Sequence, residues 1–335
     1  MKIKNHQIFT NLVQRGLIVE RTSNNIISIS GNGEIPVEIL LPESFEIEKD
    51  SFQAIVDNAD RINIVSFERV MDEFQKIMMT DKPSVGLLLL EQSGLLQHIL
   101  PELVALKGIE EVEGQKHKDN FYHTLEVVDN ISENTDNVWL RWAALLHDIG
   151  KAVTKRFDKK VGWTFHSHEF VGSKMTVKLF RRLKLPLGNQ MKYVQKLVMM
   201  SSRPIAVVTD DATDSALRRL LFDAGEDFDD LITLCKADIT TKNEKKQRRF
   251  KQNFEVVEQK IKDVEERDHV RNFQPPISGE QIMEIFDIQP GKEIGILKNA
   301  IKEAILEGEV ENNYNSALEF VINRGKDLNL EPKNI

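Results

Sequence analysis

At 335 residues, with 41% hydrophobic and 29% charged side chains, the chain has the composition of an ordinary globular protein of two or three domains, neither disordered nor membrane-embedded. No apolar run approaches the ~20 residues of a membrane span, and the leading MKIKNHQIF lacks the apolar stretch of a signal peptide, so the expected location is the cytoplasm. A net charge of −8 argues against nucleic-acid binding by the whole surface, and Cys235, the single cysteine, excludes an internal disulfide and reads as a small core hydrophobe.

Residues 1–45 differ in character from the remainder of the chain. The stretch ISISGNGEIPVEILL alternates and contains Gly-Asn-Gly and Pro, which predicts a short hairpin or irregular arm. From Asp50 onward the apolar spacing is helical, as in FQAIVDNADRI, FERVMDEFQKIM and VGLLLLEQSGLLQHILPEL, with Ser51 and Ser66 as N-cap candidates. This helical region occupies 46–116. A second helical block covers 117–270 and ends in a charged stretch before Pro275 and Pro276, which cannot continue a helix. A third, 271–330, opens with Ser278 ahead of Glu280 and Gln281 and carries Gly308 and Gly325 as C′ candidates. The expected class is all-α, with a minor β contribution at the N-terminus or near 157–166.

Five of the eight histidines, His117, His123, His147, His166 and His168, fall within one short stretch. The adjacent pair His147-Asp148 ends an apolar helical run, AALLHDIGK, where a buried Asp without a partner would be costly. A metal ion supplies that partner, taking imidazole nitrogen and carboxylate oxygen together. His123, in NFYHTLEVVDNI, stands beside a stripe of Tyr122, Leu125 and Val128, and Asp238 ends the apolar helix of DDLITLCKADITTKN. Singly, each of these four reads best as a satisfied core histidine or a helix-end aspartate. Together they favour a four-ligand site drawn from three helices.

His123, His147-Asp148 and Asp238, with Gly150-Lys151 directly after the pair, resemble the signature of the HD superfamily of metal-dependent phosphohydrolases. LRWAALLHDIGK, GWTFHSHEFVGSKM, DSALRRLLFDAGED, RNFQPPISGEQIM and EGEVENNYNSALEFV resemble the body and tail of bacterial class II tRNA nucleotidyltransferases, the CCA-adding enzymes, in versions that carry an HD domain. FEIEKDSFQAIVDNADRINIVSFERVMDEFQKIM is similar to their neck helices. The resemblance implies a helical neck and body with a central HD-type metal site and a helical tail. It implies a divalent ion (Mg, Mn, Co or Ni) held by His123, His147, Asp148 and Asp238. His168 matches the family's remaining histidine, and His166 is either a substitute ligand or a loop residue.

Two departures accompany the resemblance. The family's polymerising head uses paired carboxylates and a glycine-rich turn, yet the first aspartate here is Asp50 and the earlier glycines are Gly16, Gly31 and Gly33. The chain alone is therefore expected not to add nucleotides, and a separate head chain is one partner to consider. Ser201 stands where related chains offer a histidine, which weakens a two-metal mechanism.

The chemistry implied is phosphoester hydrolysis. Asp148 would orient a metal-activated water and Lys151 would project a cation toward the phosphoryl group, although a lysine near a helix end is also favoured by the helix dipole alone. Residues 236–251 hold seven basic side chains against two acidic, which fits either a solvated helix face or an RNA contact. Arg203, Arg218, Arg219, Lys245, Lys246, Arg248 and Arg249 are the candidates for tracking an RNA backbone, and the resemblance implies tRNA, its 3′ end above all. A binding module without catalysis is the alternative.

Overall fold

The computed structural model describes residues 18–21, 26–30, 37–40, 47–209, 213–241, 243–268, 271 and 273–333. The chain is mostly helical and divides into two compact units, Met1–Met199 and Met200–Ile335. The β contribution occurs both at the N-terminus and in the central stretch. Strands β1 (Ile18–Arg21), β2 (Ile26–Ser30) and β3 (Val37–Leu40) form an antiparallel sheet in that order, with Ile18 opposite Ser30 and Ile26 opposite Leu40. The Gly-Asn-Gly and Pro36 of the expected turn lie outside the described residues.

Helix α1 (Lys49–Asp57) is capped by Glu48, whose carboxylate accepts from the amides of Asp50 and Ser51. Ser51 therefore lies inside the first turn and is not the expected N-cap; the longer Glu48 side chain reaches the first amides before it. A 3-10 helix (Ala59–Ile64) leads to α2 (Phe67–Met78), where Ser66 holds the N-cap position without a side-chain bond. Helix α2 buries Val70, Met71, Phe74 and Met78, one stripe at helical spacing. Next come α3 (Pro83–Gln92), α4 (Leu95–Ile99) and α5 (Pro101–Val104). Asp129 accepts from the amide and hydroxyl of Ser84 at 3.0 and 2.7 Å, covering the donor end of α3 from a distant segment.

Two short strands, β4 (Glu111–Val112) and β5 (Gln115–Lys116), precede α6 (Asn120–Ser132), α7 (Val138–Leu146) and α8 (Lys151–Thr154). Between α8 and α9 (His168–Arg182) runs the hairpin of β6 (Arg156–Asp158) and β7 (Gly162–Thr164). Helix α7 is buried from Leu140 through Leu146, including Arg141 at 1% exposure. A buried guanidinium is costly unless its donors are met. Arg141 meets them on the carbonyls of Met78, Thr80, Ser132 and Thr135 at 2.8, 2.8, 3.2 and 2.8 Å. These carbonyls close the C-terminal ends of α2 and α6, where a cation also suits the helix dipoles. Trp142, near Phe74 and Phe180 at 5.4 and 6.2 Å between ring centres, forms the core beneath.

Helix α10 (Asn189–Met200) ends at the boundary of the units. The second unit contains α11 (Arg203–Thr209), α12 (Asp214–Ala224), α13 (Phe228–Ala237), α14 (Glu244–Asp268), α15 (Gly279–Phe286), α16 (Lys292–Glu307) and α17 (Tyr314–Lys326). Ser278 and Gln281 form a full capping box at the start of α15. Gly308 ends α16 at φ 82°, a left-handed position that glycine tolerates without strain. Gly325, expected as a C′ glycine, instead lies within α17, where an added Cβ would run into the ring of Phe286; close packing, and not chain reversal, requires glycine there. Cys235 is buried, as a small core hydrophobe should be.

Candidate metal centre

Asp119 starts α6 by accepting from the amides of Phe121 and Tyr122. This places His123 in the first turn at 6% exposure, with Leu125 and Val128 buried on the same helix. Tyr122, expected on the same stripe, is exposed; it sits one residue round the helix from the buried face. His147 closes α7 and Asp148 comes directly after it, each 2% exposed.

The apolar run of α7 drives its end into the interior, and the two polar residues go with it. The Nδ1 of His147 pairs with the Ala144 carbonyl oxygen at 2.7 Å. That bond fixes the ring so that its Nε2 faces Asp148 Oδ2 at 3.4 Å. His123 Nε2 stands 3.7 Å from the same oxygen. One ligand atom each from His123, His147 and Asp148 lies within 4.8 Å of the others. Two imidazole nitrogens and a carboxylate oxygen at that spacing fit a divalent ion.

His168, the first residue of α9, brings Nε2 to 3.4 Å from Asp148 Oδ1, while its Nδ1 meets the Phe165 carbonyl at 2.9 Å. Gly150 makes this approach possible. A Cβ there would collide with the His168 carbonyl oxygen and sit 2.9 Å from the Gly172 amide, so the start of α8 touches the start of α9 only without a side chain. Lys151 donates to Asp148 Oδ2 at 2.6 Å. Burial raises the pKa of the Asp148 carboxyl, but His147, hydrogen bonds from His147 and His168, and the Lys151 ammonium outweigh it and hold the group well below the usual range.

Of the remaining histidines, His166 is exposed. His117 is buried, accepts from the Glu110 amide at 3.1 Å and meets the Lys118 carbonyl at 2.8 Å, a structural role. Asp238 comes after the buried Ala237 at the C-cap of α13, in the second unit, and Ser201 is buried in that unit too. The three clustered donors all lie in the first unit. Lys118, which sequence reasoning passed over, places Nζ 2.7 Å from His123 Nδ1. The pattern KHKDNFYH carried that signal only if the cap at Asp119 was foreseen.

The basic candidates divide into two groups. Arg203 holds Asp223 at 2.6 Å, Arg218 holds Asp268 at 2.7 Å, and Arg219 holds Glu303 and Glu307, both at 2.6 Å. Lys245, Lys246, Arg248 and Arg249 are exposed on the first turns of α14.

Residues 44–106 match the family described as probable RNA and SrmB-binding site of polymerase A, and residues 120–240 match the HD domain. The chain is 31% identical over 278 residues to the A-adding tRNA nucleotidyltransferase of Deinococcus radiodurans, covering 80% of this chain and 62% of that one. It is 30% identical over 256 residues to the CC-adding tRNA nucleotidyltransferase of Thermus thermophilus, covering 72% and 54%. Against the multifunctional CCA protein of Vibrio parahaemolyticus the identity is 30% over 202 residues, covering 58% and 48%. The chain thus spans about half to three fifths of the length of these curated relatives, and no nucleotidyltransferase head domain was found. Among the described residues no helix is long and apolar enough to cross a membrane. The chain carries a polymerase A-type RNA-binding segment ahead of an HD domain and is a distant homologue of the CCA-adding tRNA nucleotidyltransferases.

Proposed function

We propose that this chain is a metal-dependent phosphohydrolase of the HD class that acts on tRNA 3′ ends, cyclic phosphates or nucleotides, and that by itself it adds no CCA. The observation that carries the reading is the buried convergence of His123, His147 and Asp148 within 4.8 Å, in a stretch matching the HD domain. His123, His147 and Asp148 would hold the ion, with His168 as a further donor and Asp238 as the ligand implied by the sequence resemblance. When bound, Mg, Mn, Co or Ni supplies Lewis acidity and a water of lowered pKa. Asp148 would orient that water. Lys151, already 2.6 Å from Asp148, places a cation where charge builds on the transferred phosphoryl group.

RNA is the proposed partner. The polymerase A-type segment supports it, and Lys245, Lys246, Arg248 and Arg249 give an exposed basic face for phosphates. Arg203, Arg218 and Arg219 rank below them, since they are only half-exposed. In sequence order, a neck-like helical region of 46–116 precedes the hydrolytic domain of 117–270, and a helical tail of 271–330, a further candidate for RNA contact, follows it.

The deciding experiment measures opening of the cyclic phosphate of 2′,3′-cyclic AMP, and of a tRNA ending in a cyclic phosphate, with a panel of divalent metals. Metal-dependent turnover abolished by Asp148→Ala supports the enzyme. Absence of turnover with every metal sinks it. A second reading, favoured by Ser201 standing where the resemblance implies a histidine, makes the chain a tRNA-binding module or the partner of a separate nucleotidyltransferase head. It predicts tRNA affinity that survives Asp148→Ala, and CMP or AMP incorporation only after a head chain is added.

A further inference from the structure

The hairpin between α8 and α9 carries an aromatic face that the metal centre does not use. Phe157 and Trp163 are cross-strand partners, so their rings share one side and meet at 5.3 Å. Phe165 continues that side: the His117 ring lies edge-on to Trp163 at 5.0 Å and to Phe165 at 6.1 Å. Trp163 donates Nε1 to the Gln115 carbonyl at 3.1 Å, tying β7 to β5 by the ring's edge. Phe157, Trp163 and Phe165 are each half-buried. Core aromatics such as Phe74 and Phe180 are 2% and 0% exposed by comparison.

One cation joins this face to the His–Asp cluster, and a second, paired with Glu110, lies beside it. Lys151, bonded to Asp148, has Nζ 5.6 Å from the centre of the Phe165 ring, and Lys155 has Nζ 5.8 Å from the Trp163 ring. A phosphate ester met by the Lys151 ammonium beside the His–Asp cluster therefore has a partly exposed aromatic wall one side chain away. Flat rings flanked by ammonium groups suit a nucleobase attached to a phosphate, because every base offers a π-face while its phosphate carries the negative charge.

We propose that Phe165 and Trp163 form a base-stacking subsite, so that the centre accepts nucleotide phosphates in preference to phosphate esters lacking a base. This rests on the phosphoester reading of the His–Asp cluster. Stacking on an aromatic side chain should favour a base-bearing ligand by about 5- to 150-fold.

Two measurements on the full chain test it. The first compares 2′,3′-cyclic AMP with glycerol 1,2-cyclic phosphate, a cyclic diester with no aromatic ring, in the wild type, Phe165→Leu and Trp163→Leu. The expected result is a KM for the cyclic nucleotide raised about fivefold or more at constant kcat, with hydrolysis of the base-free diester within about twofold of the wild type. Equal losses on both substrates would mean that the rings only support Lys151, and would overturn the subsite. The second is equilibrium binding of AMP and of ribose 5-phosphate, which needs no turnover. AMP should bind the wild type at least about fivefold tighter, with that preference lost in both variants. Equal affinity for the two ligands in the wild type overturns the proposal whether or not the chain hydrolyses anything. Discrimination without hydrolysis would leave the subsite standing and remove the enzymatic reading.

Discussion

Two clusters of charged side chains in this chain are built on opposite principles. Around Asp148 one carboxylate, 2% exposed, faces His123, His147, His168 and Lys151. In the second unit Arg218, Arg219 and Arg267 are met by Asp214, Asp268, Glu303 and Glu307 near the surface. Charge there alternates: Arg219 holds Glu303 and Glu307, while Arg218 and Arg267 share Asp214 and Asp268. Such a network braces α12, α14 and α16 and needs no further ion. At Asp148 several nitrogens converge on one carboxylate and water is largely excluded, an arrangement that suits an added cation and a substrate phosphate. Burial and stoichiometry of charge, and not the number of ionisable residues, separate the two.

The contrast between these clusters breaks most sharply if Asp148→Ala leaves activity intact. Loss of even an outer partner of a metal ligand costs ~10–100-fold, so removing Asp148 should lower metal-dependent phosphate release by more than about a hundredfold. Circular dichroism should show the helices retained.

Arg141 tests whether a buried charge can be purely structural. Arg141→Met keeps much of the volume but strips hydrogen bonds from four carbonyls, each orphan costing about 1–3 kcal/mol. A destabilisation of about 3 kcal/mol or more is expected in urea unfolding. A change below about 1 kcal/mol would show that water replaces the guanidinium.

Gly150→Ala sharpens the link between packing and the site. The added methyl meets the backbone of α9, so α8 and α9 must part, at a cost of about 1–3 kcal/mol. His168 should then withdraw from Asp148, and metal affinity by calorimetry should fall about tenfold, within the ~10–100-fold range for disturbed ligand shells.

Replacing Lys245, Lys246, Arg248 and Arg249 by Ala should weaken tRNA binding and flatten its salt dependence by ~0.7–0.9 in slope for each phosphate no longer neutralised. The same replacement of Arg203 and Arg219 should change the slope by less, since both are only half-exposed.

The smallest effect concerns pH. A hydrogen bond from Arg267, with a second from Arg218, holds the Asp268 carboxyl below its usual range against the upward push of partial burial. Its contribution is therefore fully present above ~3.9, the ordinary carboxylate pKa, and lost as pH falls through the lower folded value. Surface pairs of this kind contribute about 0–1 kcal/mol, so Asp268→Asn should lower the melting temperature by about a degree or two near neutral pH and by nothing measurable at roughly pH 2. A larger shift would mean that the network in the second unit behaves as a buried one.

The sequence by itself determined the helical class, a minor β contribution at the N-terminus or near 157–166, the capping box at Ser278, the stop at Gly308 and the prominence of His147-Asp148. Each of these rests on local periodicity or on backbone chemistry confined to a few neighbours, which a linear pattern records. Tertiary structure decided the rest. Glu48 displaced Ser51 as a cap because its side chain is longer and stands one turn earlier. Gly325 proved to be a seat for the ring of Phe286, which a different helix supplies. The convergence of His123, His147 and His168 on Asp148 depends on helix ends meeting in space, and on Gly150 allowing α8 and α9 to touch. The same holds for the arginines: their charge was legible from the sequence, but the carboxylates that occupy Arg218 and Arg219 come from helices 50 and 88 residues further on, a separation that no local pattern encodes.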